Sequence, residues 1–155
     1  LFDHHVLAIR QKDFRFRIVT KIDYNPTTFN QMAGLMLYLN DSNYLYAYLT
    51  HDEKRGRVIR LMKCKDGEFD LFPLIFPIDA GEVELQVVVD GPAANFYYRL
   101  DGKTVWQQIG EPQDVLFLAG GFTGNFVGIG IHDTDRKAGS YADFAYFEYQ
   151  GFDTI

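Results

Sequence analysis

From Phe14 to Ile22 the chain alternates, with Phe14, Phe16, Ile18, Thr20 and Ile22 on one side of an extended backbone and Arg15, Arg17, Val19 and Lys21 on the other. A period of two belongs to a pleated strand, and this distribution describes one that is half buried and half wet. Similar segments recur between turn signals. Residues 32–40 and 44–50 flank Asp41-Ser42-Asn43, which predicts a hairpin, and 57–64 runs towards Asp66-Gly67, a pair suited to positive φ. Further strands are expected over 82–90, 94–100 and 104–109, joined through Asp90-Gly91-Pro92 and Asp101-Gly102, and the closing strands over 125–132 and 140–150. Asp114 is placed to cap a single helical turn over 115–119 before Gly120-Gly121 ends it. About nine or ten short strands with almost no helical period imply an all-β fold, an antiparallel two-sheet β-sandwich of jelly-roll type, because one such sheet would leave an apolar face wet.

Composition narrows what this sandwich can do. At 155 residues the chain is the size of one domain, and 1–155 reads as a single module. Fifteen Lys and Arg against 21 Asp and Glu leave a net charge of −6, which argues against nucleic acid as a partner. Apolar runs are interrupted well before the roughly 20 residues of a membrane span, so no membrane partner is expected. The single cysteine, Cys64, excludes an internal disulfide and fits a reducing, cytoplasmic setting. With no initiating Met and no leader, the chain reads as an N-terminally truncated piece of a longer polypeptide.

Motifs that carry chemistry are scarce. His4 and His5 are adjacent, and neighbouring strand residues point to opposite faces, so they cannot easily grip one ion. His51 and His132 fall at strand ends, where surface histidines are common. His132-Asp133-Thr134-Asp135 resembles a fragment of a calcium loop without the Gly and distant Glu of an EF-hand, and a solvated turn explains it better. Glycoside hydrolysis needs two opposed carboxyl groups, but Asp66, Asp90 and Asp101 are accounted for as turn residues before Gly. Ser42 and Ser140 lack a nucleophile elbow, and Cys64 has no evident base beside it. The most distinctive segment is Gly120-Gly121-Phe122-Thr123-Gly124-Asn125-Phe126, whose glycines permit a sharply bent loop. Phe122 either projects from the sheet toward an apolar partner or folds back onto the core.

Several blocks together resemble the C-terminal concanavalin A-like sandwich module of family 43 β-xylosidases. They are Asn25-Pro26 with Phe29-Asn30-Gln31-Met32-Ala33-Gly34-Leu35, then Tyr44-Leu45-Tyr46 and Gly56-Arg57-Val58. The Gly120-Gly121-Phe122-Thr123-Gly124 loop with Phe126-Val127-Gly128, and the closing Ala142-Asp143-Phe144-Ala145-Tyr146-Phe147-Glu148-Tyr149, complete the set in the family's order. The resemblance implies an accessory module packed on an N-terminal five-bladed catalytic propeller that releases xylose or arabinose from short xylo- or arabino-oligosaccharides. It implies that Phe122 helps wall that catalytic pocket, that the chain alone is not catalytic, and that the parent enzyme is a homo-oligomer. No cofactor is expected beyond a structural calcium, for which Asp143 matches one ligand position. Two other readings remain: an independent carbohydrate-binding module using Trp106, Tyr97 or Tyr98 as a stacking platform, and a sandwich serving only oligomer contacts.

Overall fold

A computed structural model describes residues 4–10, 15–40, 42–78, 81–90, 92–100, 105–115, 126–133 and 143–151. Its elements are all strands: β1 (His4–Arg10), β2 (Arg15–Asp23), β3 (Gln31–Asn40), β4 (Asn43–Asp52), β5 (Gly56–Lys65), β6 (Glu68–Leu71) and β7 (Phe76–Pro77). Then follow β8 (Val83–Asp90), β9 (Ala93–Leu100), β10 (Gln107–Gln108), β11 (Gln113–Asp114), β12 (Phe126–Asp133) and β13 (Asp143–Gly151). They form two antiparallel sheets, ordered β1-β12-β3-β4-β5-β6 and β10-β9-β8-β2-β13, with β7 paired to β5 and β11 to β9. These are called sheets A and B below.

The alternation read along β2 is realised: Phe16, Ile18, Thr20 and Ile22 are completely buried, and Arg15, Arg17 and Lys21 keep exposure. Between the sheets lies one core, to which sheet A contributes Leu35, Leu45, Leu49 and Leu61 and sheet B contributes Ile18, Leu85, Val87 and Phe96. Such side chains each stabilise the fold by about 1.5 to 3 kcal/mol relative to exposure, which is why two half-apolar sheets close on each other. The turn chemistry holds where it is described. Asp66 and Gly67 take φ of 53° and 80° and link β5 to β6, while Ser42 is fixed by the Asn40 side chain, whose Oδ1 accepts from its backbone N–H at 2.8 Å.

Several details differ from the sequence expectation. β1 is a full edge strand on β12, although the opening residues carry no clean alternation. β6 and β7 were not expected, since the exposed β6 relies on pairing with β5 rather than on its own apolar periodicity. Only Gln107–Gln108 of the expected 104–109 strand pairs with β9 among the described residues. Gln113–Asp114 forms a short bridge to Ala93 and Ala94, which was not expected, and the helical turn expected over 115–119 lies, beyond Val115, outside the described residues. The rest of that stretch, with the Asp101-Gly102 turn and the Gly120 to Asn125 loop, lies outside the described residues.

Candidate functional site

Each sheet has an inner face in the core and an outer face turned away from it, and the two outer faces differ in chemistry. On sheet A, alternation places Met32, Gly34, Met36 and Tyr38 of β3 outward, since Ala33, Leu35 and Leu37 belong to the core. Register then builds rows across the strands: Tyr38, Tyr44, Cys64 and Phe69; Met36, Tyr46, Met62 and Leu71; Gly34, Tyr48 and Arg60. Within these rows Met36, Tyr44, Tyr46, Tyr48 and Cys64 are buried as a second apolar cluster, separate from the core, with Met32, Tyr38 and Met62 packed against it. Tyr46 and Tyr48 stack with ring centroids 4.9 Å apart, and Tyr44 meets Phe69 edge-on at 6.4 Å. Stacking of side chains two apart on one strand needs nothing more than the pleat.

Burial controls the ionisation of this layer. The Tyr48 hydroxyl is pushed up to about 12 because its phenolate would be desolvated, with the nearby Arg60 guanidinium pulling the other way. Tyr46 is driven well above the usual tyrosine value, again chiefly by burial and then by its neighbour Tyr48. Cys64 is also raised by burial, against an opposing backbone hydrogen bond at Gly67, so its thiol is not an activated nucleophile. A close backbone approach completes the face. A Cβ on Gly34 would collide with the carbonyl oxygen of Ala47 and lie 2.6 Å from the Tyr48 Cα.

At one end this face opens into a cavity of about 460 Å³. Its floor includes Met32, Tyr48, Val58 and Met62, and its rims carry Phe29 and Leu71, which are 61% and 45% exposed. The β4–β5 hairpin forms a charged lip. There Asp52 accepts from the backbone N–H groups of Lys54 and Arg55 at 2.8 and 3.1 Å and pairs with the Arg55 guanidinium at 3.4 Å. These contacts, the Lys54 N–H first, hold the Asp52 carboxyl below its usual value. The Asx turn around Asp52 therefore accounts for its charge without a catalytic role.

Sheet B presents the opposite chemistry. Its outer rows are Gln150, Arg17, Val88 and Asn95, then Glu148, Val19, Gln86, Tyr97 and Gln108, with Lys21, Glu84 and Arg99 as the third. Glu84 binds Arg99 in a fork, accepting from Nε and a terminal nitrogen at 2.9 and 3.0 Å, and the guanidinium lies 4.1 Å over the Trp106 ring. Of the aromatics considered as a platform, Tyr97 and Trp106 belong to this side. Tyr98 points inward and packs on Phe76 at 5.5 Å, so it is no part of an exposed platform.

The remaining site residues fall as follows. Phe122 and its neighbours Gly120, Gly121, Thr123 and Gly124 lie outside the described residues, but the strand they precede, β12, begins at Phe126 opposite Tyr38 in sheet A. Asp143 is the register partner of Asp23 at the end of sheet B. Among the described residues no three His, Cys, Asp or Glu side chains gather into a metal-binding group. His4 and His132 are register partners in sheet A, His5 pairs one step along with Ile131, and Asp133 closes β12. The outer apolar layer of sheet A went unread, although the alternation Tyr44, Tyr46, Tyr48 opposite Leu45, Ala47, Leu49 gives a strand apolar on both faces.

Two antiparallel sheets packed on one core, with no helix among the described residues, form a β-sandwich of the concanavalin A-like class. Residues 1–150 match the family described as beta xylosidase C-terminal concanavalin A-like domain, and the chain belongs to that family. It is 33% identical to a putative beta-xylosidase of Escherichia coli K12 and 32% identical to a beta-xylosidase of Bacillus subtilis, in each case over 96% of this chain and 30% of the relative. The crystal structure of xylan beta-1,4-xylosidase from Bacillus halodurans C-125 superposes with a TM-score of 0.88 at 28% identity, over 94% of this chain and 29% of that one. The chain thus spans about three-tenths of the length of these relatives, as an accessory C-terminal module of family 43 β-xylosidase-like proteins.

Proposed function

We propose that this module packs on a catalytic domain of the same polypeptide, completing the pocket of a β-xylosidase-like enzyme that acts on short xylo- or arabino-oligosaccharides. The observation that carries the reading is the apolar margin of the outer face of sheet A, where Phe29, Phe69 and Leu71 stay exposed beside a layer of rings already buried within this chain, surface of the kind a second domain covers. The glycine-rich loop leads into β12 of the same sheet, which supports assigning Phe122 to the contact with the catalytic domain. In this arrangement the chain supplies no catalytic carboxylate, and Phe122 is a pocket-wall residue rather than a proton donor or nucleophile.

The test is Phe122→Ala in the intact enzyme, with kcat/KM on an aryl xyloside and thermal stability measured on the same preparation. The expected result is a lower kcat/KM with the sandwich still folded. A melting temperature lowered by a cavity costing about 3 to 5 kcal/mol, with kcat/KM unchanged, would instead make Phe122 a core residue.

A further inference from the structure

The docking role leaves the outer face of sheet B unused, and its composition is unlike that of a face that merely meets water. One row crosses five of the six strands of the sheet: Gln108 on β10, Tyr97 on β9, Gln86 on β8, Val19 on β2 and Glu148 on β13. Four inter-strand steps make this row about 19 Å long. Val19 and Gln86 are buried as its floor, and Tyr97 is half-buried beside them. At the far end Arg17, Val19, Glu148 and Gln150 surround a hollow of about 260 Å³.

The side chains are held in place by contacts that leave hydrogen-bonding capacity unspent. Gln108 donates to Asn95 Oδ1 at 2.7 Å, which fixes both amides and leaves the Gln108 carbonyl and the Asn95 amino group turned to other partners. Arg17 donates to Gln150 at 3.1 Å with one terminal nitrogen, keeping its other donors. Oε1 of Gln86 is buried without a hydrogen-bond partner among the described residues. Arg99 already occupies the Trp106 ring and is itself held by Glu84, so Tyr97 is the ring of this row available for stacking.

Charge then selects the ligand class. Charges of both signs are interspersed on this side: Arg15 is the register partner of Asp90, Lys21 lies 3.9 Å from Glu82, Arg99 is in its fork with Glu84, and Arg17 neighbours Glu148 around the hollow, with Asp23 and Asp114 towards the ends of the face. A face of interspersed charges, planar amides and a tyrosine suits neither a phosphate nor a cation. It suits a neutral molecule bearing many hydroxyls that both donate and accept, and an apolar ring face to lie on an aromatic. We propose that the outer face of sheet B binds a neutral oligosaccharide across the strands, one sugar stacked on Tyr97 between Gln86 and Gln108 and the chain running toward the Arg17, Glu148 and Gln150 hollow. The site is separate from the docking face and independent of whether that face meets a catalytic domain.

Affinity electrophoresis of the full polypeptide in which the chain occurs, run in gels with and without soluble arabinoxylan, tests this. The wild type should be retarded by the polysaccharide. Tyr97→Ala should weaken the retardation about tenfold, the scale of a lost aromatic contact. Gln108→Ala, an exposed amide whose loss should not disturb folding, should weaken it measurably as well, and Lys65→Ala, at the exposed end of β5 on the opposite sheet, should not. A thermal melt on each variant separates lost binding from lost structure. Absence of wild-type retardation by arabinoxylan, arabinan and a soluble glucan overturns the proposal, as does retardation that Tyr97→Ala and Gln108→Ala leave intact.

Discussion

The outer faces of the two sheets are built on the same backbone geometry and carry opposite surfaces. On β4, Tyr44, Tyr46 and Tyr48 alternate with Leu45, Ala47 and Leu49, so that strand is apolar on both sides. On β2, Phe16, Ile18 and Ile22 alternate with Arg15, Arg17 and Lys21, so that strand is apolar on one. The first pattern is normal for a strand buried between two layers and the second for a strand at a layer's surface. Sheet A therefore carries the residue pattern of a middle layer, and sheet B that of an outside wall.

The largest test of this contrast is truncation at matched positions on the two faces. Tyr46→Ala removes a completely buried ring and should destabilise the module by about 3 to 5 kcal/mol, whereas Tyr97→Ala on the outer wall should cost under about 1 kcal/mol. Denaturant unfolding of both variants checks it, and equal losses would erase the distinction between the faces. Gly34→Ala comes next. Its methyl group meets backbone rather than a yielding side chain, so β3 and β4 must separate, at a cost of about 3 kcal/mol.

Alkaline titration sharpens the comparison without mutation. Because the folded Tyr48 value is raised to about 12 and Tyr46 is also raised, folding favours their protonated forms. Their contribution to stability is complete below the ordinary tyrosine value of about 10 and declines as pH rises toward 12. Phenolate absorbance should show these tyrosines titrating late and together with unfolding. Early, reversible ionisation of every tyrosine in the folded module would mean that the layer on sheet A is wet.

A smaller effect than either substitution on sheet A belongs to the polar wall. Glu84→Gln breaks the fork to Arg99 and loosens its hold over Trp106, and the pair lies between exposed and buried cases, so about 1 to 2 kcal/mol is expected. Indole fluorescence should shift in the same variant, and an unchanged emission would show that the guanidinium does not define the Trp106 environment.

Much of this was legible in the residues alone. The strand alternation of β2, the hairpin between β3 and β4 and the Asp66-Gly67 reversal rest on interactions within a few residues, so local pattern reports them. The resemblance carried by the Gln31 to Leu35 block and the glycine-rich loop placed the chain in its family before any contact was known. Reading the tyrosines of β4 as a strand came easily. Reading which partner each of its faces has did not, because alternation gives two faces without saying what covers either.

The sequence by itself determined that this chain is a β-sandwich of the β-xylosidase accessory family, since period-two patterning and turn chemistry are local and the family motifs are contiguous. Only the tertiary structure decided that Tyr98 faces the core while Tyr97 faces out, that β1 lies against β12 across more than a hundred residues of chain, and that Gln86, Gln108 and Glu148 share one row. Those facts depend on strand order and register, which are fixed by burying both inner faces at once and by pairing edges far apart in the chain, so no segment contains them alone.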